Sequence, residues 1–296
     1  MKVLGLVASD RVLGNSEVLA KEAARPLLEA GVQVRLLRIT DLEIRSCIGC
    51  MRCVFRGARC PVEDDAEHLF DLMLEADGLI LSAPTYVLEP AAIIKAVVDR
   101  FLMLALRFPE LNARPRYGVS ISCAGIEGWN PLGVPLLNKF LLAFRYRVVG
   151  SLEAYAPGPG QILLDEAVVS RAADLGRALA GVLAGEATEG TATRGTRCPV
   201  CHGTSFELLG DGRVRCPLCR VLGRIVDQAR GVVEFEQDSV RNHRWADEPL
   251  REHVENWILK TEGMFRERAR EIRARAAAYR ELDHLWLAPP ERQDSA

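Results

Sequence analysis

The sequence predicts an α/β protein built on a doubly wound, five-stranded parallel sheet, followed by a small four-cysteine unit and a long helix. Three observations predict it. Short apolar runs alternate with helix-period segments from Val3 to Leu183. Eight of the nine cysteines fall in two compact clusters. The segment after Asp247 repeats apolar residues at helical spacing.

The elements follow in order. Val3 to Ala8 is a short apolar run, as expected of a strand covered on both faces. A helix follows, with Leu19, Ala23, Leu27 and Ala30 on one face, Pro26 expected to kink it and Gly31 to end it. Val32, Val34 and Leu36 alternate into a second strand. Asp64–Asp65 opens the next helix, with Leu69, Leu72 and Met73 inward. Gly78 to Ala83 is the third strand, followed by a helix from about Pro90 to Leu106. Tyr117 to Ser122 is the fourth strand, a helix runs from Pro131 to Phe144, and Arg147 to Tyr155 is the fifth strand. Strict alternation implies right-handed crossovers, and short βα loops suit the flavodoxin-like strand order 2-1-3-4-5. A last helix, Glu166 to Leu183, packs back on the sheet.

This reading divides the chain into a sheet domain over 1–186, a linker rich in Gly, Thr and Ala over 187–195, a four-cysteine unit over 196–236 and a helical segment over 237–296. That last segment places Leu250, Val254, Trp257, Ile258, Phe265 and Ile272 on one stripe and ends in a polar tail from Pro289. Residues 265–280 hold six arginines against two glutamates, read as the solvated side of the helix.

Composition narrows the function. Of 296 residues, 49% are apolar and 26% charged, and the net charge is −2. That balance is ordinary for a globular protein and argues against nucleic acid or an anionic membrane as partner. No apolar run is long enough to span a bilayer, and neither a secretory signal nor a lipidation motif is visible, so a cytoplasmic protein is expected. Clustered cysteines in such a compartment point to metal rather than disulfides. Cys123, outside both clusters, reads as a small buried hydrophobe.

Cys47, Cys50, Cys53 and Cys60 are spaced C-x2-C-x2-C-x6-C. Thiolates so close can ligate an iron–sulfur cluster or zinc, and Gly49 and Gly57 allow the tight backbone that aims amides at sulfur. A structural zinc knuckle or unligated thiols are the alternatives. Ser9 to Ser16 joins a strand to a helix, where hydroxyls, Asn15 and helix N-terminal amides make an anion site suited to the phosphate of FMN; Ser16 as an ordinary N-cap is the alternative. Pro84, Thr85 and Tyr86 lie at the end of the third strand, on the crevice side where open α/β sheets bind ligands. Ala124, Gly125 and Gly128, after the fourth strand, leave room for a flat ring on the same edge.

The order Ser-x-x-x-x-Gly-Asn-Ser, then the cysteine loop followed by Asp64–Asp65, then Ser82–Ala83–Pro84–Thr85–Tyr86, resembles the iron–sulfur flavoproteins of the NADPH-dependent FMN reductase group. The resemblance covers about residues 1–155. It implies FMN phosphate at Ser9, Arg11, Gly14, Asn15 and Ser16, the flavin ring against Pro84, Thr85, Tyr86, Val87, Leu88, Ala124, Gly125 and Gly128, and a [4Fe–4S] cluster on Cys47, Cys50, Cys53 and Cys60. It also implies a homodimer or homotetramer with cluster and flavin near each other across a subunit contact. The chain departs from the family in carrying Val87–Leu88 where an aromatic is common, and in a C-terminal module that the resemblance does not cover.

The second set, Cys198, Cys201, Cys216 and Cys219, is C-x2-C-x14-C-x2-C. This spacing predicts one tetrahedral site, a zinc ribbon or a rubredoxin-like iron centre, whose metal would supply stability that so small a unit lacks. His202, beside one knuckle, reads as a surface residue. Together these readings give an FMN-dependent electron-transfer oxidoreductase between NAD(P)H or a reduced carrier protein and an acceptor, with no catalytic side chain required. The alternatives are a plain NAD(P)H-dependent FMN or quinone reductase without a cluster, and a non-enzymatic scaffold with a zinc-ribbon adaptor.

Overall fold

The structure, a computed structural model of the chain, describes residues 1–186 and 193–287. Most of the expected linker and the polar tail from Pro289 lie outside the described residues.

Five parallel strands, β1 (Lys2–Val7), β2 (Gln33–Arg38), β3 (Gly78–Tyr86), β5 (Arg116–Ala124) and β6 (Tyr146–Tyr155), form a sheet in the order β2-β1-β3-β5-β6. This is the flavodoxin-like order. A two-residue strand, β4 (Glu89–Pro90), folds back antiparallel on the end of β3. Alternation along each strand sorts side chains between two layers. Val3 and Val7 of β1 and Ile80 of β3 pack with Leu19, Ala23 and Leu27 of α1 (Asn15–Glu29) and Ala172 and Leu179 of α7 (Glu166–Ala184). Leu4, Leu6, Leu79 and Leu81 face the opposite layer, built from α3 (Ala66–Glu75), α4 (Ala92–Asp99) and α6 (Gly133–Ala143). Helix α1 runs through Pro26 to Glu29 and ends at Ala30, just before Gly31, where the sequence places its end. The helix expected over Pro90 to Leu106 is shorter: α4 ends at Asp99 and a 3-10 stretch, Phe101–Arg107, turns the chain under the cysteine loop. It leads into the single turn α5 (Phe108–Leu111).

A second sheet, antiparallel, has the order β7-β11-β10-β9-β8, formed by Arg194–Gly195, Glu207–Gly210 (β8), Arg213–Arg215 (β9), Leu222–Asp227 (β10) and Val232–Phe235 (β11). Arg194 and Gly195, expected in the linker, are its edge strand β7, paired with β11. This small sheet docks on the first through buried polar contacts. Asn138 of α6, fully buried, donates Nδ2 to the Cys201 carbonyl at 2.8 Å and to Ser151 Oγ at 2.9 Å, while its Oδ1 accepts from Ser120 Oγ. Trp245 Nε1 donates to the Leu218 carbonyl, and Leu142 of α6 joins the apolar cluster around the four cysteines.

The C-terminal segment is a broken helix. After α8 (Gln237–Arg241) come α9 (Asp247–His253), a π-helical turn Val254–Ile258 and α10 (Thr261–Ala277). Leu250, Val254 and Ile258 are buried against the first sheet's helices, but Trp257, Phe265 and Ile272 of the expected stripe are exposed. Phe265 reaches back to stack on Phe55 of α2 (Arg52–Phe55), inside the cysteine loop, with ring centroids 6.1 Å apart. The arginine-rich face is laced with exposed pairs such as Arg275–Glu271, consistent with a solvated face. Among the described residues no helix is long and apolar enough to cross a membrane.

Candidate functional site

Two pockets gather most of the expected site residues. The first opens at the C-terminal edge of β1, β3 and β5. Its cavity, about 210 Å³, is lined by Ser9, Arg11, Asn15, Ser16, Pro84, Thr85, Tyr86, Ala124 and Gly125, all expected, and by Cys123, Ala156 and Pro157, which sequence reasoning did not place there. Parallel pairing explains the convergence, because β1, β3 and β5 run alongside one another and end on the same edge.

The loop entering α1 is braced from outside the cavity. Glu17 accepts from the Leu13 amide at 2.9 Å and pairs with Arg38 at 2.6 Å and with Lys21. Burial works against ionising Glu17, but Lys21, the Leu13 amide and Arg38 outweigh it and hold the carboxyl below its usual range. Arg38 also donates to the Asp10 carbonyl. Ser82 Oγ donates to the Ser16 carbonyl at 2.8 Å, tying α1 to β3. Ser9 and Ser16 are buried, and the Ser9 hydroxyl accepts from the Arg11 amide at 3.3 Å.

Five residues expected as contacts have other commitments in the structure. The side chain of Asn15 is already committed: Nδ2 donates to the Ala156 and Gly158 carbonyls at 3.0 Å each, and Oδ1 accepts from the Ile162 amide. Asn15 therefore ties the loop after β6 to the pocket and has only backbone left to offer a ligand. Gly14 is not in the wall; a Cβ there would meet Arg11 Cβ at 2.9 Å, so its role is the tight turn. Gly128, at φ +82°, likewise serves a turn. Val87 and Leu88 form the two-residue turn between β3 and β4, at φ 48° and 73°. Val87 is 90% exposed and projects from the rim.

Positive φ at both turn positions is the geometry that Asn-Gly adopts readily and a β-branched residue does not. Val87→Asn with Leu88→Gly is accordingly expected to raise unfolding stability by about 1–3 kcal/mol in a denaturant titration. Unchanged or lower stability would show that the turn carries no strain.

Beneath Tyr86, Thr85 Oγ1 lies 2.6 Å from Asn130 Oδ1 and 3.0 Å from Ser122 Oγ, and Ser122 also donates to Asn130. Nδ2 of Asn130, on a residue 3% exposed, has no hydrogen-bond partner among the described residues. Cys123 is buried, which pushes its thiol up to about 11 despite a contact with Ser16, so it is neutral at physiological pH.

The second pocket is ringed by Cys47, Cys50, Cys53 and Cys60 together with Arg100, Leu102 and Met103. Left-handed turns at Gly49 and Met51 wind the loop, and the Gly49 amide points at Cys47 Sγ, 3.4 Å away. The ends of the loop are clamped by the two aspartates. Asp65 accepts from the Glu43 amide at 2.8 Å, and Asp64 accepts from the Arg45 amide at 2.9 Å and from Arg100. Burial opposes the charge on Asp64, yet Arg100 and the Arg45 and Ala66 amides hold its carboxyl below the usual range. Cys53 is pushed up, first by burial and then by the neighbouring Cys60. Cys47 and Cys50 are exposed. Arg100 is the residue here that sequence reasoning missed. Nothing near it in sequence marks a cysteine contact; the fold brings it in from the end of α4.

A third set stands apart. The sulfurs of Cys198, Cys201, Cys216 and Cys219 are all buried and lie within 4.8 Å of one another, so this group can hold a metal ion. Each knuckle closes on itself: the Cys198 amide donates to the Gly203 carbonyl and the Cys216 amide to the Val221 carbonyl, both at 2.8 Å. The four thiols hydrogen-bond one another so closely that Cys216 and Cys198 are pushed down while Cys201 is pushed up, and burial, then the same bonds, pushes Cys219 up. His202 is only half-exposed, near Ser151 of β6, and burial followed by Arg197 lowers its pKa; it belongs to the docked face, not the free surface.

The profile of the NADPH-dependent FMN reductase family matches residues 1–132. An iron–sulfur flavoprotein of Methanocaldococcus jannaschii is 30% identical over 191 residues, which cover 62% of this chain and 97% of that protein. The chain belongs to the iron–sulfur flavoprotein family. One of the iron–sulfur flavoproteins of Archaeoglobus fulgidus is 31% identical over 162 residues, 55% of this chain and 72% of that one. Membership makes the protein an FMN-using oxidoreductase and sets aside the non-enzymatic scaffold. The likeness also extends past the sheet. A flavone synthase of Aspergillus candidus is 29% identical over 269 residues, covering 81% of this chain and 82% of that one. A solved structure described as a flavone reductase superposes with a TM-score of 0.74 at 22% identity, over 98% of this chain and 100% of that one. The C-terminal module is thus part of a fold found elsewhere as a whole.

Proposed function

We propose that this iron–sulfur flavoprotein holds FMN in the cavity at the ends of β1, β3 and β5 and a [4Fe–4S] cluster on Cys47, Cys50, Cys53 and Cys60, and passes electrons from a reduced nicotinamide or carrier protein to an acceptor. The observation that carries the reading is that the expected phosphate and ring residues line one cavity while Cys47, Cys50, Cys53 and Cys60 line another. When bound, FMN takes up hydride and releases electrons in pairs or singly, and a cluster moves them singly.

The chain's own residues bind and position. Ser9, Ser16 and the first amides of α1 suit a phosphate, with Arg11 as the cation in the cavity wall. The unpaired Nδ2 of Asn130 is a donor that a ring bearing carbonyls can satisfy. No carboxylate or histidine lines the cavity, and Cys123 is neutral, so acid–base chemistry by a side chain is not part of the reading. Exposed Trp257, Met264 and Phe265, with exposed Cys47 and Cys50, support a homo-oligomer. Zinc in the third cysteine set is the structural reading.

A second reading concerns the acceptor. The alignment with a flavone synthase covers 81% of the chain, and Tyr86, Val87, Ile126 and Trp129 leave an apolar rim near the cavity. Together they favour a planar conjugated carbonyl compound, whose C=C bond gains or loses a hydride and a proton. Anaerobic stopped-flow decides between the two acceptors: enzyme reduced with NADPH is reoxidised either by a flavone or only by a one-electron acceptor.

The FMN assignment is tested by Ser9→Ala with Ser16→Ala. Hydrogen bonds to a charged phosphate contribute about 1.5–3 kcal/mol each, so FMN affinity should fall by at least about tenfold in a fluorescence titration of the apoprotein. Unchanged affinity removes the phosphate site from this cavity.

A further inference from the structure

The wall of the four-cysteine pocket contains a buried cation. Arg100, 1% exposed, lines the pocket, while its partner Asp64 does not. Nη2 of Arg100 donates to Cys60 Sγ at 3.3 Å and to Asp64 Oδ1 at 3.2 Å, and Nη1 donates to the Arg45 carbonyl at 3.0 Å and to Asp64 Oδ2. Its Nε has no hydrogen-bond partner among the described residues.

A loop clamp alone does not account for this arrangement. The loop is already closed by Asp65 on Glu43 and by Asp64 on the Arg45 amide. Burying a guanidinium–carboxylate pair costs desolvation that apolar packing in the same space avoids. A buried N–H with no partner among the described residues adds to that cost. The order of the pair is also informative: Arg100 lines the pocket and touches Cys60, and Asp64 does not line it.

We propose that Arg100 sets the reduction potential of the centre held by Cys47, Cys50, Cys53 and Cys60, by donating Nη2–H to the Cys60 sulfur and holding its charge, anchored by Asp64, against the centre. The inference rests on the cluster reading above. An added electron makes the sulfurs stronger hydrogen-bond acceptors and the centre more negative, so an N–H donor and a cation in its wall stabilise the reduced state and raise the potential. Arg100 is a positioning and tuning residue; it ligates nothing itself.

The test uses full-length protein reconstituted anaerobically, with potentials read by EPR-monitored titration. Arg100→Met should lower the equilibrium constant for one-electron reduction by about tenfold or more, a downward shift of about 59 mV for each tenfold. Arg100→Lys, which keeps the charge but not the fork, should recover part of the shift, and FMN affinity should be unchanged in both. A second readout needs no variant. Transfer of wild-type protein to D₂O should shift the Fe–Sγ bands in the resonance Raman spectrum, because Cys60 Sγ accepts from an exchangeable Arg100 proton, as Cys47 Sγ does from the Gly49 amide. A fully loaded Arg100→Met protein at the wild-type potential overturns the proposal. If that variant fails to hold a cluster, Fe–Sγ bands insensitive to deuterium in the wild type overturn it instead. Wild-type protein that takes up no iron at this loop overturns the cluster reading itself, a result distinct from either.

Discussion

Cys50→Ser protein, reconstituted anaerobically with iron and sulfide, is expected to carry FMN at the wild-type level and no iron or sulfide at the loop over residues 47–60. Cys50 is exposed, so the substitution leaves no buried void and the fold should keep its wild-type stability in the absence of iron. Serine is a hard, poorly acidic ligand, and three thiolates leave a soft-metal cluster incompletely held. FMN should be retained because the residues lining its proposed cavity, from Ser9 to Pro157, include none of these four cysteines. Loss of single-electron delivery to a one-electron acceptor should accompany loss of the cluster, while hydride uptake from a nicotinamide persists. Iron at wild-type stoichiometry in the Cys50→Ser loop would falsify the ligand assignment. Wild-type single-electron rates in a variant that has lost its iron would leave the cluster with a structural role only.

The second large effect is expected at the other cysteine set. Cys198, Cys201, Cys216 and Cys219 are four of the ten buried residues in their apolar cluster, so the site is itself much of the core. Structural zinc contributes on the order of 10 kcal/mol in small cysteine units, more than the few valines and one phenylalanine around it can replace. Cys216→Ser, or exhaustive chelation, should release one metal ion per chain by elemental analysis and abolish hydrogen-exchange protection over β8 to β11. Protection should fall in α6 as well, because Asn138 holds the Cys201 carbonyl and its own partners Ser120 and Ser151 are left to a looser network. Unaltered protection after metal loss would mean that the four thiols pack without an ion. Iron at this site in freshly isolated protein would replace the zinc reading with a one-electron centre.

Much of this molecule is written in local patterns. The run Val3 to Ala8, the stretch Gly78 to Ala83 and the helical spacing between them dictate a covered parallel sheet, because a strand buried on both faces has no room for charge. Right-handed crossovers then leave few strand orders, and the observed one is among them. The spacing C-x2-C-x14-C-x2-C determined a four-thiol cluster, since two tight knuckles can close only on each other. Family membership was legible in the succession of the Gly14–Asn15–Ser16 loop, the first cysteine set and Pro84–Thr85–Tyr86.

What the sequence left open depends on residues far apart in the chain. Asn15 reads locally as an anion donor, but the end of β6 presents the carbonyls of Ala156 and Gly158, and the amide satisfies those instead. Val87 and Leu88 read as ring contacts until β4 pairs with β3 and makes them a turn. The apolar stripe of the C-terminal helix is periodic throughout, yet only Leu250, Val254 and Ile258 are buried; beyond the π turn Phe265 stacks on Phe55 while still exposed, and Ile272 stays exposed. Arg100 carries no local sign of its role: 40 residues separate it from Cys60, and only the packing of α4 beneath the loop sets a guanidinium against that sulfur. The sequence by itself determined which elements form and which cysteines cluster, because periodicity and spacing are local. The tertiary structure alone decided which side chains are already spent on protein partners, because each buried donor takes whatever acceptor the fold brings within reach.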